Sequence, residues 1–233
     1  MRGEISSSPV AKRHPYDWYV EEEWVTGQLA AALGDFAFER DNGLAIWDPC
    51  AGYGHTSAAL QGYGLQKFTS DIVCNIDAGL FVGRKTPPFF SADFLEVIVA
   101  PAPCSIVMNS PYSYRKGAGD YAGMLISEAF ARHALKLASK RVCMVLPVKW
   151  LASQARYRLF TQHPPLAVLH LTQRPSMPPG DRIKEMGNRA FRGGMTDYCW
   201  IVWDVTIAVR PGETRTVWLP PLGTPVPAIE GIG

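Results

Sequence analysis

The sequence predicts an α/β fold, a mostly parallel sheet with helices on both faces. Three observations carry that expectation. Short apolar runs of strand length alternate with stretches of helical periodicity, the pattern of βαβ units. One run, Val142–Leu146, is apolar at every position, as a strand covered on both faces must be. A glycine-rich turn directly follows the first run, where such folds pass from strand to helix.

Taken in order, Leu44–Trp47 is the first strand and ends at Asp48-Pro49. Thr56–Gly62 reads as a helix, Gln66–Ser70 as the second strand leading into Asp71, and Pro88–Ser91 as the third. Ser105–Met108, expected beside the first strand, runs straight into Asn109. Asp120–Ser139 has apolar residues at Leu125, Ile126, Ala129, Phe130, Ala134 and Leu137, a helical spacing. Lys140-Arg141 stands at its end, where cations favour the helix dipole. Val142–Leu146, Leu166–Leu171 and Tyr198–Trp203 complete the strands. Folds of this kind bind ligands at the carboxyl ends of their strands.

At 233 residues the chain has room for one domain and a modest appendage. With 47% hydrophobic and 19% charged residues, collagen-like and wholly disordered classes are excluded. No run of about 18 apolar residues is present to span a membrane. Met1–Ser8 lacks the apolar core of a signal peptide. Five cysteines at least 24 residues apart, without a Cys-x-x-Cys pair, fit reduced thiols, so a cytoplasmic location is expected. No histidine has a partner at metal-ligand spacing, so no metal is expected. Residues 1–15 are polar and read as a mobile segment, 16–217 as the domain, and 218–233 as a Pro-rich tail over the surface.

The turn reads Asp48-Pro49-Cys50-Ala51-Gly52-Tyr53-Gly54. Glycines at 52 and 54 let the backbone bend sharply and approach a ligand. Asp71 stands 19 residues after Gly52, at the end of the next strand, where a carboxylate can accept both hydroxyls of a ribose. Dinucleotides and S-adenosylmethionine share this arrangement. The dinucleotide fingerprint wants a third glycine at position 57, which is Ser57 here. Asp48 at the strand end would repel a pyrophosphate and attract a cationic sulfonium, so S-adenosylmethionine is the expected cofactor. Asp93-Phe94, after the third strand, either flanks the cofactor's adenine or simply caps a helix. His55 reads as a helix-start residue near the cofactor.

Asn109-Ser110-Pro111-Tyr112 follows the fourth strand. With Tyr16-Asp17-Trp18-Tyr19-Val20-Glu21, the glycine turn, Asp71, Asp93-Phe94, Arg174–Met177 and Thr196–Trp200, it resembles the class I S-adenosylmethionine-dependent amino-methyltransferases carrying an Asn-Pro-Pro-Tyr motif. The likeness covers about residues 16–204 and is greatest to small phage or prophage DNA adenine-N6 enzymes. It implies a Rossmann-like methyltransferase fold with a seven-stranded sheet. Asn109, Ser110, Pro111 and Tyr112 would be catalytic. Tyr19, with Trp18 beside it, would cover the methionine end of the cofactor; a core aromatic before a helix is the competing reading. Asp48, Ala51, Gly52, Gly54, Asp71 and Ile72 would line its path, with Asp93, Phe94 and Asn109 completing the site. Ser110 stands where the family has proline; its backbone carbonyl is retained, but the rigidity is lower.

The chemistry explains such a corner. An exocyclic amine conjugated to a purine is a poor nucleophile, because its lone pair is delocalised into the ring. The Asn109 side-chain oxygen and the Ser110 carbonyl would take its two hydrogens and free that pair for in-line attack, a task of positioning and preorganised dipoles. Tyr112 would stack on a base taken out of the duplex.

The net charge of +2 conceals a segregation: residues 1–112 carry −6, 113–194 carry +10 and 195–233 carry −2. A polyanionic partner is expected for the middle segment. Residues 174–194, RPSMPPGDRIKEMGNRAFRGG, are rich in glycine and proline, and regular structure is not expected there. Arg174, Arg182, Lys184, Arg189 and Arg192, with Arg115, Lys116, Arg156 and Arg158, form the expected nucleic-acid surface, contacting mainly phosphates. DNA is the leading partner. RNA or a glutamine side chain would use the same corner. A nicotinamide-dependent oxidoreductase and a non-catalytic nucleic-acid-binding module rank below. Oligomeric state and target sequence are not legible.

Overall fold

The computed structural model describes residues 17–232; the segment 1–15 and Tyr16 lie outside them. Eight strands form one sheet in the order β3-β2-β1-β4-β5-β7-β6-β8. They are β1 Ala45–Asp48, β2 Lys67–Asp71, β3 Phe89–Ser91, β4 Cys104–Met108, β5 Arg141–Pro147, β6 Ala167–Leu171, β7 Tyr198–Asp204 and β8 Arg215–Leu219. β7 runs antiparallel to both β5 and β6, and every other pairing is parallel. The helices are α1 Glu23–Ala32, α2 Ala37–Asp41, α3 His55–Ala59, α4 Ile126–Leu137, α5 Gln154–Gln162 and α6 Ile183–Met186.

The central strands read as continuous apolar runs because alternate side chains enter two different cores. On β5, Val142, Met144 and Leu146 join one core with Phe130 and Ala134 of α4. Cys143 and Val145 of the same strand join the other, with Val25 and Leu29 of α1. Both faces are therefore covered by helices. Tryptophan side chains tie the layers together, since Trp200 Nε1 donates to the Val25 carbonyl at 3.0 Å and Trp150 Nε1 to Ser127 Oγ at 2.7 Å.

The sheet has eight strands where seven were expected. β8 extends the edge beyond β6, with Leu171 opposite Leu219, and so takes residues 218–219 from the expected tail. After β8 the chain passes over α1, where Gln28 Nε2 donates to the Pro220 carbonyl at 2.7 Å and the Ile229 amide to Ala32 at 2.9 Å. Helix α4 begins at Ile126 rather than near Asp120. The preceding backbone is spent on pairing with 115–116: Lys116 N donates to Met124 O and Gly123 N to Lys116 O, leaving nothing to start a helix. Lys140 and Arg141 do not serve the end of α4. Lys140 pairs with Asp204 at 2.7 Å, and Arg141 opens β5 buried against Glu39. No helix among the described residues is long and apolar enough to cross a membrane.

Strand order reverses between β1 and β4, the point at which a crevice opens above the carboxyl ends of an open α/β sheet. Asp48 ends the first of these neighbouring strands and Asn109 follows the second.

Candidate active site

A cavity of about 360 Å³ opens at this reversal. Its walls include Ala51 and Gly52 of the turn, Asp71 and Ile72 after β2, Asp93 and Phe94 after β3, and Asn109 and Pro111 after β4. A strap formed by residues 17–21 closes one side.

The turn depends on its glycines. Gly52 and Gly54 have φ of +49° and +97°, where a side chain is strained. Gly52 N donates to Asp71 Oδ2 at 3.0 Å and Ile72 N to Asp71 Oδ1 at 2.8 Å, which aims the carboxylate along the wall. Burial raises the Asp71 carboxyl above its ordinary range, and the backbone amides pull it back in part. Asp48 and Gly54 stand behind the wall rather than on it. Asp48 is 2% exposed and accepts from the Cys50 amide at 3.0 Å, so it braces the turn. Burial, then the charge of Glu21, push its carboxyl well up. Cys50 lines the cavity, and burial together with Asp71, Asp48, Glu21 and Asp93 drives its thiol well above the usual range, away from nucleophilic use.

Asp93 is both a cap and a wall residue. Oδ1 caps the short turn Phe94–Glu96 through the Leu95 amide at 3.0 Å, and the residue also faces the cavity. Oδ2 pairs with Lys116 at 3.1 Å, and that lysine also lines the cavity. Phe94 is 2% exposed and packs edge-on against Trp47.

At the corner, Asn109 Nδ2 donates to the Tyr19 carbonyl at 2.9 Å and to Glu21 Oε2 at 2.8 Å. A carbonyl and a carboxylate can only accept, so the nitrogen must face them and Oδ1 is left to face elsewhere. Asp17 Oδ2 accepts from the amides of Tyr112 and Ser113, at 2.9 and 2.6 Å, and holds the rest of the corner. Ser110 is 1% exposed, beneath the wall, while Pro111 is on it. Tyr112 stacks on Tyr19 at 6.1 Å, and its hydroxyl lies 3.2 Å from that of Tyr198. Burial, then the neighbouring Tyr198, raise the Tyr112 phenol far above its usual range, so it stays neutral.

Asp17 and Glu21 are site residues to which sequence reasoning gave no role. The available signal was two carboxylates set among the three aromatic residues and Val20 of the run 16–21. The Trp18 indole is wedged between two glycines: a Cβ on Gly52 would lie 2.8 Å from its Nε1, and one on Gly180 2.2 Å from its Cε2. Gly180→Ala is therefore expected to cost about 1–3 kcal/mol by overpacking, read as a lower midpoint in chemical denaturation. An unchanged midpoint would show that the wedge is loose.

Gly180 belongs to the basic segment, which has more regular structure than its glycines and prolines suggest. Short turns flank α6, and the segment is pinned to the strap. Val20 N donates to Pro178 O and Gly180 N to Trp18 O, both at 3.0 Å, and Tyr53 Oη donates to Gly180 O at 3.1 Å. Satisfying backbone groups through the strap explains why the expected irregular loop is ordered here. Arg182, Lys184, Arg189 and Arg192 belong to this segment, and all four are exposed. Arg174 pairs with Asp197 at 2.6 Å, and Arg115 donates to the Gly123 carbonyl at 2.7 Å.

No protein-family model matches the sequence, and a search of curated proteins finds no match. Solved structures do match. A protein from Listeria monocytogenes described as a class I S-adenosylmethionine-dependent methyltransferase aligns with TM-score 0.57 and 11% identity, over 87% of this chain and 65% of that one. The fold is that of class I methyltransferases. The methyltransferase subunit of a type I restriction-modification system from Streptococcus thermophilus aligns with TM-score 0.58 and 14% identity, over 80% of this chain and 44% of that one. A 23S rRNA methyltransferase aligns with TM-score 0.50 and 15% identity, over 83% and 71% of the two chains. The chain thus spans less than two thirds of the first two proteins, and at these identities the likeness is one of fold.

Proposed function

We propose that the protein is an S-adenosylmethionine-dependent methyltransferase acting on the exocyclic N6 amine of adenine in DNA. The observation that carries this reading is a single cavity in which the Gly52 turn and Asp71 share walls with Asn109 and Pro111. A corner walled off from the turn would have excluded transfer between them.

The residues present fit the cofactor. Asp17, Glu21, Asp71 and Asp93 face the cavity, an arrangement that suits a cationic sulfonium and ammonium and opposes a pyrophosphate. Asp71 is aimed to accept ribose hydroxyls, and the Trp18–Tyr19 strap covers the turn. When bound, the cofactor supplies an electrophilic methyl group.

The chain's own part is positional. Asn109 Oδ1 accepts one hydrogen of the substrate amine and the Ser110 carbonyl the other, which localises the nitrogen lone pair and aims it. After transfer the nitrogen sheds one proton to solvent. Tyr114, 39% exposed on the cavity wall, offers an aromatic face for an extruded base, whereas Tyr112 lies behind the wall against Tyr19. The arginines and Lys184 of the 174–194 segment support a phosphate backbone as the surrounding ligand.

A second reading, an amine on RNA, draws on the shared fold with an rRNA methyltransferase; a protein glutamine uses the same corner without the phosphates. Incubation with isotopically labelled cofactor and separate DNA, RNA and protein pools, then digestion and mass spectrometry, distinguishes them. Labelled N6-methyladenine from DNA is the expected product. Label in RNA or glutamine alone replaces this reading with the second, and no label in any pool removes both.

A further inference from the structure

The geometry points to Glu21 as a positioning residue that dictates which atom of Asn109 meets the substrate amine, and that ties this corner to the helix behind the cofactor turn. The inference rests on the function proposed above. An asparagine amide is nearly symmetric in shape but opposite in chemistry at its two ends. Rotated by half a turn, Asn109 would aim N–H groups at an amine that itself brings N–H groups, and the corner would repel its substrate. Tyr19 O engages one hydrogen of Nδ2, and Glu21 Oε2 engages the other. With both spent, only Oδ1 remains to face a ligand.

The identity of residue 21 matters to this. A glutamine has the same length and could accept from Asn109 equally well. It could also turn round and donate to Asn109 Oδ1, stabilising the wrong orientation. A carboxylate has no donor and so permits one orientation only. Glu21 is 6% exposed and lies in the same acidic cluster as Asp48, whose carboxyl it pushes up, so its burial carries a cost. Its second oxygen is also engaged. Oε1 accepts from Thr56 Oγ1 at 2.8 Å, and Thr56 lies in α3, two residues after Gly54. One buried carboxylate therefore links the first turn of the helix behind the cofactor loop to the residue that grips the substrate, across 35 residues on one side and 88 on the other.

The test is a double-mutant cycle on Glu21→Gln and Asn109→Asp, with kcat and KM for methyl transfer. The affinity for S-adenosylhomocysteine is measured by calorimetry, at a temperature where circular dichroism shows all four proteins folded. Asn109→Asp alone sets two carboxylates at hydrogen-bond distance and is expected to lower kcat by about a hundredfold. Glu21→Gln alone is expected to lower kcat by about tenfold or less, with KM and S-adenosylhomocysteine affinity little changed. In the double variant the new amide at position 21 donates to the new carboxylate at position 109. The other oxygen of that carboxylate stays available to the amine, so kcat should recover by about tenfold over Asn109→Asp. Additive losses overturn the inference. So does a fall in affinity for S-adenosylhomocysteine as large as the fall in kcat in Glu21→Gln, which would make Glu21 a cofactor ligand. Wild-type protein that transfers no methyl group to any amine overturns the functional reading and this inference together; wild-type transfer with additive variants overturns this inference alone.

Discussion

Asn109→Ala is expected to lower kcat for methyl transfer by about a hundredfold to a thousandfold, the usual consequence of deleting one preorganised hydrogen-bonding partner of a reacting atom. Two effects combine. The substrate amine loses an acceptor, so its lone pair stays delocalised and poorly aimed. Glu21 Oε2 and the Tyr19 carbonyl lose the donor that now satisfies them, at 2.8 and 2.9 Å, and will take water into the corner. The turn at Gly52 and its bond to Asp71 do not involve Asn109, so cofactor binding should survive. Single-turnover kinetics beside a calorimetric titration of S-adenosylhomocysteine separate the two quantities. Equal losses in both would make Asn109 a binding residue, and a variant with unchanged turnover would remove it from the chemistry.

The second large effect lies at the opposite end of the sheet. Arg141 and Glu39, 1% and 0% exposed, pair at 2.5 Å, and Ser105 Oγ donates to the other oxygen of Glu39 at 2.6 Å while accepting from the Arg141 amide at 3.0 Å. The set joins α2 to β4 and β5. Glu39→Ala leaves a buried guanidinium with no counter-charge, and should destabilise the fold by about 3–5 kcal/mol. Replacing both partners with apolar residues, Glu39→Leu with Arg141→Met, should cost less than Glu39→Ala alone, because no uncompensated charge remains. Urea denaturation of the three proteins checks the order. A double variant less stable than the single one would mean that the pair contributes more than its desolvation costs. Activity measured below the melting transition should be retained in each, since the pair is remote from the cavity.

Much of the fold was legible in single segments. The continuous apolar run 142–146 could belong only to a strand with both faces covered, and it splits its side chains between the two cores. The glycines at 52 and 54 were legible because only residues without a Cβ take their φ values without strain. β8 was hidden by the prolines that follow it. Its own alternation, with Val217 and Leu219 packed inward and Thr216 and Trp218 outward, was a usable signal. The early start assigned to α4 failed for a different reason: Leu125 does fit the helical stripe, but its backbone is paired with Arg115.

The site divides in the same way. Chemistry carried by neighbours in the chain, such as a turn, a strand-end carboxylate or a polar corner before proline, follows from local sterics and is written in local order. Thus Gly52, Asp71 and Asn109 could be picked out one by one. Which oxygen of Glu21 meets which nitrogen of Asn109, that Asp48 braces the turn from behind, and that Lys116 closes on Asp93 depend on contacts between residues far apart along the chain. Only the packing of strap, turn and corner around one cavity decides these, because hydrogen-bond partners are chosen by proximity within about 3 Å and proximity is a property of the folded chain.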